Sequence, residues 1–424
     1  MKKTLLSLLL LVALVLPFAF SVCAEEDLLG DANLNGAVDK YDYILVKRVV
    51  MGTAKISEEQ IFNADANQNG EMEKFDYILI KRHIMGSFKL IRIDPTLTLS
   101  QKKTVSSENF TKLSAFSAFL KDSERFAFVP GLSENIVPQG IGRNPETGYT
   151  YISSYFNESG KASVISVLDE KGRFVAEYHV YNKNGTPFTG HMGGICVTED
   201  YIYFSGPSVD NYYSVAEFAL KDLPLTGSHN ITIDATVKLP IHSSYLFYDS
   251  GILWVGTFYL SGSYDLGKYF NFKTPNADGA QYGGYAAAFV LDGEEKRLTI
   301  KEGENYAVPS FVLATPDKVQ GFAYKDGKVC LSKSYGRNND STLEYFKIDM
   351  AKADKTITVD GKTYPMTVLD RLNRTKTVTA MCMTEGITLD ENGKIMVLFE
   401  SAAKKYYNSK NPTDYIWKTE FYGK

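Results

Sequence analysis

The chain has 424 residues, 44% apolar, 23% charged and 13% aromatic, a balance too apolar for a disordered chain and too polar for a protein of many membrane spans. The formal charge is −4 and no Lys/Arg run stands out, which argues against nucleic acid as a partner. At this length two or more domains are expected, and the 28 tyrosines and 25 phenylalanines favour strands and surfaces that face carbohydrate or peptide.

Residues 1–24 read as a secretory leader. Lys2 and Lys3 form the basic start, Leu5–Leu16 the apolar run, Pro17 its break, and Val22-Cys23-Ala24 a cleavage site with small residues before Glu25. An uncleaved anchor competes with this reading, but the run is short for a membrane span and Pro17 interrupts it. A lipidated Cys23 also competes, although Val22 suits that reaction poorly. The expected protein is exported, without stable membrane insertion. Cleavage leaves Cys196, Cys330 and Cys382, an odd set in strand-like segments that reads as buried free thiols rather than a disulfide framework.

Two repeats follow at a spacing of 34 residues. Asp31–Gly52 reads DANLNGAVDKYDYILVKRVVMG and Asp65–Gly86 reads DANQNGEMEKFDYILIKRHIMG, identical at 14 of 22 positions. Each copy opens with oxygen side chains at loop positions 1, 3, 5, 9 and 12 and glycine at position 6. Calcium takes six to eight oxygen ligands, and a reversing loop presents alternate residues inward. The first loop would ligate through Asp31, Asn33, Asn35, the carbonyl of Ala37, Asp39 and Asp42, with Gly36 at the sharp turn. The second would use Asp65, Asn67, Asn69, the carbonyl of Glu71, Glu73 and Asp76, with Gly70 at the turn. Three carboxylates per loop neutralise one divalent ion, so two calcium ions are expected. A chance Asx-rich turn would explain one loop, but not two in register. Helical periodicity follows each loop, with Tyr41, Ile44, Leu45 and Val49 on one face and Phe75, Ile78, Leu79 and Ile84 on its counterpart. No complete helix is expected ahead of either loop.

The stretch from about Asp27 to Leu90 resembles a type I dockerin, the calcium-dependent plug that docks into a cohesin of a scaffoldin. It departs from the commonest pattern with Asn35, Asn69 and Glu73. The resemblance implies that loop positions 10 and 11 and a basic pair on the helix face the cohesin. These correspond to Lys40, Tyr41, Lys47 and Arg48, and to Lys74, Phe75, Lys81 and Arg82. A plain solvated face with core aromatics is the competing reading of these eight residues. Their near-identity implies a pseudo-twofold surface that would dock in either of two orientations.

Residues 25–90 are therefore expected as the dockerin, 91–123 as a polar linker and entry segment, and 124–424 as a large all-β domain. Inner-strand candidates carry glycine at Gln139-Gly140-Ile141, Gly193-Gly194-Ile195, Gln320-Gly321-Phe322 and Glu385-Gly386-Ile387, with a less regular fifth at Ser244–Phe247. Second strands are expected at Tyr149–Tyr155, Tyr201–Ser205, Ile252–Phe258, Lys328–Ser334 and Lys394–Glu400. Third strands follow at Ser163–Leu168, Ser214–Leu220, Ala286–Leu291, Thr342–Ile348 and Tyr415–Phe421. Asp169–Gly172, Asp326-Gly327 and Asn392-Gly393 supply hairpin turns. Five such units predict a five-bladed β-propeller. A sixth blade would follow if Phe126–Leu132 closed another sheet, and a pair of β-sandwiches is the other arrangement considered.

The large domain resembles secreted bacterial propellers of uncharacterised activity and, more distantly, lactonase-type and strictosidine-synthase-type propellers through its Gln/Glu-Gly-Ile motif. The lactonase likeness implies an axial metal on an inner-strand glutamate. Glu385 is the one matching carboxylate and no complete ligand set is legible, so a propeller metal stays open. Other candidates for chemistry are Arg337, which would hold a carboxylate or sugar hydroxyls, Asp340 as acid or base, and His191 as general base. Their competing readings are an Asx-rich hairpin loop with a local Arg–Asp pair and a satisfied structural histidine. Glu400 is notable for ending an otherwise apolar strand. No Gly-x-Ser-x-Gly, phosphate-loop, His-Glu-x-x-His or Cys-x-x-Cys pattern is present. The Tyr-rich run Tyr264–Tyr285 reads as a long loop that would line a sugar platform.

The resemblance to dockerins implies a bacterial, cellulosome-type assembly for polysaccharide breakdown, with a scaffoldin cohesin as partner and a polysaccharide as a further one. The propeller would then be a glycan- or protein-binding module, or else a carbohydrate-active hydrolase, lyase or lactonase with an axial site.

Overall fold

The computed structural model describes residues 28–68, 72–90, 92, 94–105, 109–264, 266–293 and 296–422. The leader expected at 1–24, and Asn69, Gly70 and Glu71 of the second loop, lie outside them. The chain divides into two units, Met1–Ile93 and Asp94–Lys424.

The first unit holds helices α1 (Lys40–Val50), α2 (Glu58–Ala64) and α3 (Lys74–Ile84). Helices α1 and α3 start at equivalent places because each ends a loop in a reciprocal cap: Asp39 with Asp42, and Glu73 with Asp76. They pack on each other, with Val46 and Ile80 fully buried at matching positions and Tyr43 edge-on to Tyr77. No complete helix is expected ahead of either loop, and the short helix α2 is what precedes the second. It is two turns long, capped by Ser57 and Gln60, and leads into Asp65. The expected apolar faces are also corrected in part. Tyr41, Ile44, Phe75, Ile78 and Ile84 are exposed, whereas the core is made by Leu29, Ala32, Val46, Ala64, Ala66, Ile80 and Leu90.

The second unit is a five-bladed β-propeller. Blade 1 runs from Ile136–Arg143 outward through Thr150–Phe156, Val164–Leu168 and Phe174–Tyr181, and blade 2 through Ile195–Val197, Tyr201–Ser205, Tyr213–Ala219 and Ala235–Leu239. Blade 3 comprises Tyr245–Asp249, Ile252–Gly256, Gly284–Val290 and Phe311–Thr315. Blade 4 comprises Val319–Lys325, Lys328–Lys333, Ser341–Lys347 and Arg374–Ala380. Blade 5 joins the two ends of the unit: Thr384–Leu389, Ile395–Phe399 and Tyr415–Thr419 are completed by Ser123–Phe128. The segment weighed as a sixth blade is thus the rim of the fifth, and no sandwich forms.

Two pairs of neighbouring blades are stitched together by strands that one lends to the other. Gly227–Thr232, within the chain of blade 2, pairs in parallel with the outer strand of blade 1. Lys355–Val359 and Lys362–Val368, within that of blade 4, extend blade 3 to six strands. The segment from Asp94 belongs to the propeller unit. Thr98 donates its N–H and hydroxyl to the buried Glu177, Gln101 caps the carbonyls of Phe128 and Gly172, and Thr104 N–H meets Asp414. Cys196, Cys330 and Cys382 are buried and free.

The five inner strands touch in a closed ring, and glycine sets how closely they approach. A Cβ on Gly386 would stand 2.8 Å from Ile141 N and 2.9 Å from Gly140 Cα, and one on Gly140 would stand 2.8 Å from Ile195 N. Gly194 and Gly321 face the next strand's backbone in the same way. Serines on the second strands reinforce the seams: Ser153 donates to the carbonyl of Met192, Ser205 to that of Ser243, and Ser332 to that of Glu385. Gly386→Ala is expected to lower unfolding stability by about 1–3 kcal/mol through backbone overpacking, read as a drop in the denaturant or thermal midpoint. An unchanged midpoint would show that the ring does not need glycine there.

Candidate functional site

At one end of the propeller axis lies a cavity of about 890 Å³. It is lined by all five blades. The residue just ahead of the seam position on each inner strand faces it: Gln139, Gly193, Ser244, Gln320 and Glu385. Three of these side chains are aimed inward by β-bulges. The register slips between Pro138 and Gly140, between Val319 and Gly321, and between Thr384 and Ile387, leaving Gln139, Gln320 and Glu385 as extra residues. A bulge breaks the in–out alternation and redirects one side chain, here toward the axis.

Glu385 and Glu400 meet in this cavity, only 4% and 9% exposed. Glu400 follows the second strand of blade 5, where its N–H bonds to the carbonyl of Met383. The two carboxyls hydrogen-bond to each other. Gln139 Nε2 donates to Glu400 Oε2 at 3.0 Å and Gln320 Nε2 to Glu385 Oε1 at 3.3 Å, so an amide flanks the pair on each side. Burial pushes the Glu385 carboxyl well above the usual range, and the neighbouring Glu400 charge adds to that. Burial also raises Glu400, to about 7, against the opposing hydrogen bonds from Glu385 and Gln139 and the positive charges of Lys405 and Arg337. Glu385 therefore keeps its proton at neutral pH while Glu400 stands near its titration midpoint, so that Glu385 can donate and the ionised Glu400 accept. Direct contact is closer than the separation of about 5 Å or more that the usual two-carboxylate glycosidases need.

Around the pair, His191 stacks on Tyr155 with ring centroids 4.5 Å apart. Its ring keeps surface facing the cavity yet is hemmed in by protein, and that desolvation, with Lys405 nearby, pushes the imidazole down to about 4. Lys405 Nζ donates to Tyr155 Oη at 2.8 Å. Arg337 stands at the mouth with Nη1 on Asn408 Oδ1 at 3.2 Å and its guanidinium over Tyr406.

The structure thus gathers Glu385, His191 and Arg337 in one cavity. Asp340 is not among the lining residues; it forms an ion pair with Lys410 at 2.9 Å, so the local Arg337–Asp340 pair considered from sequence is replaced by two separate contacts. Of the Tyr-rich run, Tyr264 lines the cavity, whereas Tyr285 is buried within blade 3. Tyr406 and Lys405 have no sequence signal, because they sit on the irregular excursion between the last two strands of blade 5.

In the first unit, the loops are held by their own carboxylates. Asp31 accepts from the N–H groups of Asn35 and Gly36, and Asp42 from those of Asn33 and Asp39. In the second loop Asp76 accepts from Asn67 and Glu73 N–H, and Asn67 Nδ2 donates to Glu73. Leu34 and Gln68 occupy the same left-handed conformation at loop position 4. No cluster of three or more His, Cys, Asp or Glu stands out as a metal site among the described residues. The loop donors are instead three carboxylates in each loop with asparagine and backbone oxygens. The buried Asn33 Oδ1 has no hydrogen-bond partner, and burial together with the nearby Asp31 and Asp39 charges raises the Asp42 carboxyl. Both features fit a bound calcium, which would supply the missing partner and balance the charge.

Residues 29–85 match the family model of the dockerin type I domain. The first unit is a type I dockerin. No curated protein matches the chain. Three solved structures are similar in part to this chain. A putative oxidoreductase (glucose dehydrogenase) from Thermus thermophilus has 14% identity and a TM-score of 0.34, covering 70% of this chain and 98% of its own. A GH43_1 enzyme from Xanthomonas citri has 12% identity and a TM-score of 0.39, covering 72% and 92%. An aldose sugar dehydrogenase from Streptomyces coelicolor, in its PQQ-bound form, has 12% identity and a TM-score of 0.36, covering 70% and 97%.

Two outcomes are expected here. In the dockerin, Asp31→Ala with Asp65→Ala should remove calcium-dependent protection of the amides of α1 and α3 in hydrogen exchange, a change that chelator alone should reproduce in the unmodified chain. In the propeller, Glu385 and Glu400 have folded-state values above their unfolded ones, so the folded state binds the extra proton and stability falls as pH rises from about 4.5 through 7. Glu385→Gln keeps the hydrogen bond without the titration. Its melting temperature should match the unmodified chain at pH 5 and exceed it at pH 8; a gap that does not grow with pH would speak against the shared proton.

Proposed function

We propose that this chain is an exported, calcium-stabilised component of a cohesin–dockerin assembly for polysaccharide breakdown, and that its propeller binds carbohydrate in the axial cavity with the Glu385–Glu400 pair as the proton-transfer group. The carrying observation is the convergence of polar side chains from the inner strands and a proton-sharing acid pair on one ligand-sized cavity. Export rests on the leader at 1–24 and on the extracellular setting typical of dockerins. No helix among the described residues is long and apolar enough to cross a membrane.

Attachment would use the dockerin's exposed face. Lys40, Tyr41, Lys47 and Arg48 on α1, and Lys74, Phe75, Lys81 and Arg82 on α3, are all exposed, with Lys40 lying over Tyr41 and Lys74 over Phe75. Exposed aromatics beside cations suit a protein partner better than solvent. Calcium would be held by the loop residues named above, Asn69 and the Glu71 carbonyl included, and its chemistry here is charge balance and loop order.

The direct contact between the two carboxyls supports a second reading, a glycan-binding module that cuts nothing. One experiment separates the two. The full chain is applied to an array of plant and microbial polysaccharides, and both retention and released sugar are read for it and for Glu385→Gln. Sugar release that disappears in the variant supports catalysis at the axis. Retention without product, weakened in the variant, supports the binding module. Retention and release that are both indifferent to Glu385 would remove the axial cavity from consideration.

A further inference from the structure

Resting on the axial-cavity reading, we infer that the carbohydrate is acidic: a uronate whose carboxylate is taken by Arg337, with Lys405 adding positive charge from beside Tyr406, while the Glu385–Glu400 pair addresses its hydroxyl or ring oxygens. Two cations converge on Tyr406, which lines the cavity. The Arg337 guanidinium lies 4.8 Å and Lys405 Nζ 5.1 Å from that ring's centroid. Most other arginines of the propeller are ion-paired: Arg143 with Glu391, Arg173 with Asp169, Arg297 with Glu217, Arg371 with Asp278 and Arg374 with Glu344. Arg337 instead spends one donor on the Asn408 amide oxygen, and Lys405 donates to the Tyr155 hydroxyl. Among the described residues neither has a carboxylate within ion-pair distance.

The charge balance of the cavity follows. The two cations face an acid pair that holds a proton between its members, so positive charge is in excess at neutral pH. Lys405 is held at the Tyr155 hydroxyl and beside the Tyr406 ring, and the charges of both cations favour the ionised form of Glu400. A neutral ligand would leave that excess unanswered, whereas a carboxylate matches the fork of a guanidinium with two parallel hydrogen bonds. Tyr264, edge-on to Phe258, and Tyr335, with Lys318 over its ring, line the same mouth and are 53% and 44% exposed, which leaves aromatic surface for the apolar side of a sugar ring. Arg337 is itself exposed on a hairpin loop, so removing it should leave the propeller folded.

Calorimetric titration of the full chain at pH 7 with trigalacturonic acid and with its methyl ester tests this. The acid should bind at least about tenfold more tightly than the ester, the difference that one charged, bidentate contact supplies. Arg337→Gln should weaken binding of the acid by about tenfold and so remove that preference, with the melting temperature unchanged, and Lys405→Met should reduce the preference in the same direction. Equal binding of acid and ester, or a preference that survives Arg337→Gln, would overturn the uronate assignment. If a neutral oligosaccharide binds and loses affinity in Glu385→Gln while no uronate is preferred, the assignment fails and the axial site stands. If neither acid, ester nor neutral oligosaccharide binds, both readings fail.

Discussion

Everything in the propeller depends on how closely five backbones approach around one axis. Where a side chain would intervene there is glycine, and where backbone dipoles would be left facing a neighbour there is a serine hydroxyl. The third blade is the exception. It puts Tyr245 at the seam, with its ring stacked toward Phe322 of blade 4, so a large aromatic packs there where the other inner strands have glycine. The cavity opens beside this ring, where the inner strands of blades 1, 4 and 5 carry bulges and those of blades 2 and 3 do not. The bulges leave amides and an acid pointing at the axis. Architecture and chemistry thus share one origin, and a buried acid pair is sustained where few carboxyls would be, because amides from two other blades hold it.

The two units solve the problem of stability differently. The dockerin has a small core of short side chains and leans on loop carboxylates that need a cation to be comfortable. The propeller buries a continuous aromatic and aliphatic interior, with Trp254, Phe322 and Tyr324 packed between blades 3 and 4 and Phe119 against Trp417 at the closing blade.

The inner strands are legible in the sequence because the Gly-containing motif marks four of the five and turn residues space the hairpins. The two loops of the dockerin are legible because their pattern occurs twice. What escapes the sequence has physical reasons. Helix α2 is short, and only its Ser57/Gln60 cap betrays it. The strands lent to blades 1 and 3 pair in parallel with partners far away in the chain, which periodicity does not record. Tyr41 and Phe75 look like core residues by type but point outward, since the buried helix position is taken by Val46 and Ile80. In the site, Glu385 carries a motif, and Glu400 breaks an apolar strand, a visible oddity whose partner only the closed ring reveals. Lys405 and Tyr406 lie on an irregular excursion, where nothing local distinguishes a cavity wall from solvent.

Blade 5 takes its rim from the start of the unit and its other three strands from the end. Its two halves are separated by nearly the whole length of the domain, so this sheet has the longest loop to close and is the last to assemble. Both glutamates of the cavity belong to it. The event that seals the ring therefore also completes the wall of the cavity around the acid pair.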